Sequence, residues 1–209
     1  MSRALFLAVL APWLAAAQAP PKAAALPAVG VFMIFDSTPG SSALDLMKTE
    51  ANQLLQPAGL ALEWRLASEN HGDQPFAGLA VIQFKGSCKA EAWPRPFSDF
   101  GTAGESHILG STTVANGRVT PYGEVLCDQI RKALAYLRPG ADQKARQRAL
   151  GLALGRVVAH ELYHMLAKTT NHAEHGLAKA SQSLEDLVSE REMLFAEDDT
   201  RAIHQALFK

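Results

Sequence analysis

The sequence predicts an α+β fold, in which a mixed, twisted sheet of about five strands, two of them joined as an antiparallel hairpin, packs on an amphipathic helix and on a second, buried helix. Three observations predict it. Short runs rich in Val, Ile and Phe are separated by turn residues through the first half of the chain. Asn116 and Gly117 stand between two extended runs, a strong hairpin signal. From Asp142 to Lys168 the pattern is helical and becomes apolar nearly all round, which requires burial. A chain of 209 residues with 48% hydrophobic content suits a single core, so these elements are expected in one domain.

The elements follow in order. Val29 to Phe35 reads as a buried strand. After Pro39 and Gly40, the apolar residues Leu44, Met47, Ala51, Leu54 and Leu55 recur at helical spacing until Pro57 and Gly59 break the pattern. Leu60 to Leu66 alternates apolar with polar or small residues, and Leu79 to Phe84 is a second apolar run, so both read as strands. Residues 86 to 105 lack periodicity and predict a long loop. His107 to Val114 and Arg118 to Leu126 form the predicted hairpin, a short helix is expected over Ile130 to Leu137, and Asp142 is placed to N-cap the long helix. Gly151 and Gly155 on that helix predict a close approach to a neighbouring element.

The N-terminus has the layout of a signal peptide: Arg3, an apolar stretch from Ala4 to Ala17, and small residues at Ala15 and Ala17. The expected organisation is a signal peptide over residues 1–17, a Pro/Ala-rich linker over 18–27 and one domain over 28–209. The apolar stretch is shorter than the roughly 20 residues that span a bilayer, so export and cleavage to a secreted or periplasmic protein, without stable membrane insertion, are expected. In an oxidising compartment Cys88 and Cys127, the only two cysteines, are expected to form a disulfide. A formal net charge of −1 and the absence of a Lys/Arg run argue against a nucleic-acid partner.

The chemistry concentrates in His160-Glu161-Leu162-Tyr163-His164. Two histidines four residues apart on a helix share a face, so two imidazoles can meet one ion, and neutral imidazole suits zinc. Glu161, between them, is the candidate general base of a zinc-dependent hydrolase acting on peptide bonds. A third ligand has to come from downstream, and His172 is the first candidate, with His175 as an alternative. Tyr163 is expected to pack, and His71 and His204 to lie at the surface. The acidic run Glu197, Asp198 and Asp199, with Glu190 and Glu192, is expected to be a solvated face.

The motif with its downstream histidine resembles the metzincin clan of zinc peptidases, whose pattern is HExxHxxGxxH. Ala167 stands where the clan has its turn glycine and Thr170 where it has its third histidine. The turn here is therefore two residues longer, ending at His172, eight residues after His164. The chain is similar to small secreted bacterial metzincin-like proteins that have this later histidine followed by a Gly-hydrophobic-Met turn. Gly176, Leu177 and Ala178 occupy that position, with Ala178 replacing the methionine. The resemblance implies a zincin-like fold, Zn2+ held by His160, His164 and His172, Glu161 as base, a peptide or protein substrate, and an edge strand along which that substrate lies. The competing expectation is a catalytically silent zinc-binding, peptide-interaction module of the same fold. A gluzincin-type alternative draws its third ligand, Glu185, from a predicted helix over Ser183 to Phe195.

Overall fold

The computed structural model describes residues 26–69, 72, 75–91, 93, 108–183, 185–189, 191 and 193–208. The expected signal peptide, most of the linker, His71, His107, Glu190, Glu192 and most of the predicted loop lie outside them. In chain order the elements are β1 (Ala28–Ser37), α1 (Ser41–Leu55), a 3-10 turn (Gln56–Ala58), β2 (Ala61–Leu66), β3 (Gly78–Ser87), β4 (Gly110–Ala115), β5 (Arg118–Leu126), α2 (Cys127–Leu137), α3 (Gln143–Ala167) and α4 (Glu197–Phe208). The predicted class holds: this is an α+β arrangement with one mixed five-stranded sheet.

The strands are ordered β2-β1-β3-β5-β4, all parallel except β4, which runs antiparallel to β5 along one edge. Alternation decides which face is buried. Val29, Val31 and Met33 of β1 point inward with Ala80, Ile82 and Phe84 of β3 and Val125 of β5, while Ile34, Leu79 and Tyr122 are exposed. The inward set merges with Met47 and Leu54 of α1 and with Leu150, Leu154 and Val158 of α3 into one core. Each fully buried side chain of this size stabilises the fold by roughly 1.5–3 kcal/mol.

The hairpin forms as the Asn-Gly pair predicts. Asn116 and Gly117 both have positive φ, 52° and 72°, and connect Ala115 to its partner Arg118 through a two-residue turn. The edge strand starts at Gly110, and its register with β5 shifts between Thr112 and Val114, where Pro121 of β5 is accommodated without a ladder hydrogen bond.

Helix α3 begins where Asp142 accepts a hydrogen bond from the Ala145 N–H at 2.8 Å. Its close approach is to α1: a Cβ on Gly151 would lie 2.9 Å from the Ala43 carbonyl oxygen, and one on Gly155 would lie 2.9 Å from that of Met47. Cys88 and Cys127 form the expected disulfide, joining the end of β3 to the first turn of α2 with Cα atoms 5.0 Å apart. Among the described residues no helix is long and apolar enough to cross a membrane.

The region after α3 departs from expectation. Among the described residues no helix forms over the predicted Ser183 to Phe195; Glu185 to Val188 make an isolated turn. Leu187, Val188 and Phe195 of that stretch are buried nonetheless. The helix lies further on, as α4, and contains the acidic run. Asp199 is buried and accepts from the Ala196 N–H at 3.0 Å, capping the start of α4 rather than facing solvent.

Candidate metal centre

The last turns of α3 carry the motif, and burial of the helix fixes how its side chains point. Glu161, Leu162, Tyr163 and His164 are all buried. Beyond Ala167 the chain reverses at Lys168, whose φ of 52° is left-handed, and the His164 carbonyl accepts both the Lys168 N–H and the Thr169 N–H. The turn glycine of the resembled pattern is thus replaced by a left-handed lysine one position later. The reversal brings His172 back over the helix end.

His160, His164 and His172 come together as predicted, with one ligand nitrogen from each and all three within 4.8 Å of one another, so they could hold a metal ion. The His160 ring stacks on that of His172 with centroids 5.4 Å apart, and the His164 ring meets His172 edge-on at 4.7 Å. His172 is exposed, closing the site from the solvent side.

Hydrogen bonds select the tautomers. His160 Nδ1 lies 2.8 Å from the Leu177 carbonyl oxygen, and His164 Nδ1 lies 2.9 Å from that of Thr169. A carbonyl oxygen only accepts, so each Nδ1 carries the proton and each Nε2 presents a lone pair. The two Nε2 atoms face each other at 3.1 Å. Two lone pairs so close need a proton or a cation between them, and a shared proton is disfavoured. Burial drives the His160 pKa down to about 4 against the opposing Leu177 hydrogen bond, with the neighbouring His164 and His172 lowering it further. Burial likewise lowers His164, the Thr169 hydrogen bond opposes it, and His172 adds to the lowering.

Glu161 points toward the edge strand. Thr112 Oγ1 of β4 donates to its Oε2 at 2.7 Å, and a Cβ on Gly110 would lie 2.7 Å from its Oε1, so a bare backbone at Gly110 makes room for the carboxyl. Burial pushes the Glu161 pKa up to about 7, and the Thr112 hydrogen bond acts in the opposite direction. Tyr163 packs as expected, stacking on Phe195 and hydrogen-bonded to Asp199; burial first, then the Asp199 charge and that bond, raise its pKa.

Neither alternative ligand joins the triad. Glu185 is exposed in the isolated turn and His175 is exposed beyond the reversal, and the described three-histidine group includes neither. His204 lies at the surface as expected, against Phe208. The stretch Gly176 to Ala178 does lie beneath the site: the Leu177 carbonyl holds His160, and Leu177 and Ala178 are completely buried. Sequence reasoning missed Thr112. The available signal was Gly110, since a glycine opening a strand marks a place where another group comes close. No family model matches the chain and no curated protein matches it, so the reading of this centre rests on its own geometry.

Proposed function

We propose that this chain is an exported zinc-dependent peptidase in which His160, His164 and His172 hold Zn2+ and Glu161 is the general base. The observation that carries the reading is the pair of Nε2 lone pairs facing each other at 3.1 Å on a buried helix, with His172 beside them. Two imidazole nitrogens bound tetrahedrally to one zinc, each at about 2.0–2.1 Å, lie roughly 3.3 Å apart, so the spacing of the His160 and His164 pair suits that ion, with the His172 nitrogen within 4.8 Å of both. Three nitrogen ligands also leave a fourth position for water, the hallmark of a catalytic rather than a structural site.

Zinc bound there supplies Lewis acidity, polarising a scissile carbonyl and acidifying water. Glu161 takes one proton from the water whose oxygen adds to the carbonyl carbon, and returns it to the amide nitrogen as the C–N bond breaks. Thr112 keeps the carboxyl oriented through Oε2. The outer side of β4, the edge strand of the sheet that carries Thr112, is where an extended peptide adds as a further strand and brings its backbone to Glu161.

The test is cleavage of a mixed peptide library by the purified protein. Chelator-sensitive cleavage, lost in Glu161→Gln while zinc stays bound, is the expected result. Bound zinc without cleavage would reject the peptidase in favour of the silent module, and absence of zinc would reject both.

A further inference from the structure

Arg156 stands one helical turn before His160 on α3 and is 3% exposed. Its Nε–H donates to Glu50 Oε1 of α1 at 2.8 Å. One terminal nitrogen donates to the Asp186 carbonyl and to the Ser189 hydroxyl at 3.3 Å; the other donates to the carbonyls of Ser189 at 2.9 Å and Arg191 at 3.3 Å. These five bonds use the five N–H donors of a guanidinium. A buried ion pair is a weak source of net stability, because desolvation offsets its attraction. What this one specifies is position: three backbone carbonyls of an irregular stretch, which need partners once buried, end on one rigid fork.

That stretch leads back to the metal centre. Asp186 Oδ2 accepts from Lys179 Nζ at 3.0 Å and from the Ser183 N–H at 3.2 Å. Gln182 Nε2 donates at 2.8 Å to the Leu177 carbonyl, the same oxygen that receives His160 Nδ1. The chain from Leu177 to Arg191 is therefore registered on α3 at both ends, by His160 at one and by Arg156 at the other.

We infer that Arg156, paired with Glu50, is a positioning residue for the metal centre: it fixes the 177–191 loop so that the Leu177 carbonyl holds His160 with its Nε2 free for the ion. The inference rests on the metal reading of the triad and adds to it the residue that anchors the floor beneath His160.

The experiment measures zinc affinity of the full chain by competition with a chromophoric chelator, together with the visible spectrum of the cobalt-loaded form. The variants are Arg156→Gln, Arg156→Lys, Glu50→Gln and, as a core control away from the loop, Val31→Ala. Arg156→Gln is expected to weaken zinc binding by up to the roughly 10–100-fold that loss of a direct outer partner of a metal ligand costs, since it acts through the Leu177 carbonyl, and to alter the cobalt spectrum. Arg156→Lys and Glu50→Gln are expected to weaken it less, and they carry the test if Arg156→Gln does not fold. Val31→Ala is expected to lower the melting temperature and leave affinity unchanged. Wild-type affinity and spectrum in the folded Arg156 and Glu50 variants would overturn the inference, as would affinity losses that merely follow melting temperature across all variants. A wild-type chain that binds neither ion would overturn the metal reading and this inference with it.

Discussion

Two neighbouring regions build the metal centre by different physics. The second half of α3 supplies His160, Glu161 and His164 from a regular helix whose backbone is satisfied by its own ladder and whose side chains are buried on nearly every side. The 169–195 stretch supplies His172 and the carbonyls behind the two helical histidines from irregular backbone, held by Arg156, His160 and His164 reaching it from α3 and by Gln182 within it. Burial suffices to orient the first region, while the second adds hydrogen bonds from side chains to the burial of Leu177, Ala178 and Leu187. The helix therefore sets the direction of the lone pairs, and the irregular stretch sets which ring nitrogen bears them.

The largest expected effect separates the two as ligand donors. His164→Ala, in the buried helix, should reduce zinc affinity far beyond the roughly 10–100-fold cost of losing an outer partner. His172→Ala, at the exposed rim, should leave a weaker site with two helical histidines. Equal losses on a direct zinc titration would break the comparison by making the exposed ligand as important as the buried one.

A smaller effect reads the burial itself through pH. In the metal-free protein the Glu161 carboxyl titrates at about 7 rather than at the ordinary 4.5, so between those values the folded state keeps a proton that the unfolded state releases. Stability contributed through this group is therefore present below pH 4.5 and falls as pH rises toward 7, by up to about 3 kcal/mol. Urea unfolding in excess chelator should show wild type losing stability relative to Glu161→Gln over that window. Parallel curves would mean that the carboxyl is solvated and that the helix is less closed than its packing implies.

The scaffold can be perturbed away from the centre. In Gly151→Ala the new methyl would meet the Ala43 carbonyl oxygen at 2.9 Å and Leu46 Cβ at 2.8 Å. Overpacking of this kind costs about 1–3 kcal/mol. Thermal unfolding should register that loss, while zinc affinity of the folded protein changes little, because the hydrogen bonds behind the histidines are made at the other end of α3. A large affinity loss would show that the α1 to α3 spacing also governs the site.

The two regions also differ in how much of them was legible in sequence. Helix α3 could be read because its signals are local: Asp142 caps it, its apolar residues recur at the helical period, and the spacing of His160 and His164 converts directly into geometry. The β4 to β5 turn was legible for the same reason, since Asn116 and Gly117 tolerate the backbone conformation the turn needs. Leu187, Val188 and Phe195 carry a helical spacing too, yet the carbonyls of Asp186, Ser189 and Arg191 bond to Arg156, 30–35 residues earlier, and not to a local ladder. No window of sequence contains that competition. The acidic start of α4 was legible in part: Glu197 and Asp198 are solvated as a charge run predicts, while Asp199 is a buried cap hydrogen-bonded to Tyr163.

The smallest expected effect lies at the junction of the two regions. Lys168 is exposed and holds a left-handed φ of 52° where the chain leaves α3. For a residue with a Cβ that conformation costs roughly 1–2 kcal/mol, and glycine adopts it without that cost but loses more backbone entropy on folding. Lys168→Gly should therefore stabilise the protein by about 0.5–1 kcal/mol, seen as a small rise in melting temperature. If the reversal is already fixed by the bonds from Lys168 and Thr169 to the His164 carbonyl, zinc affinity should not change with it. A rise in stability accompanied by weaker zinc binding would instead mean that the lysine's restricted backbone helps hold His172 over the helix end, making the junction part of the site and not merely its boundary.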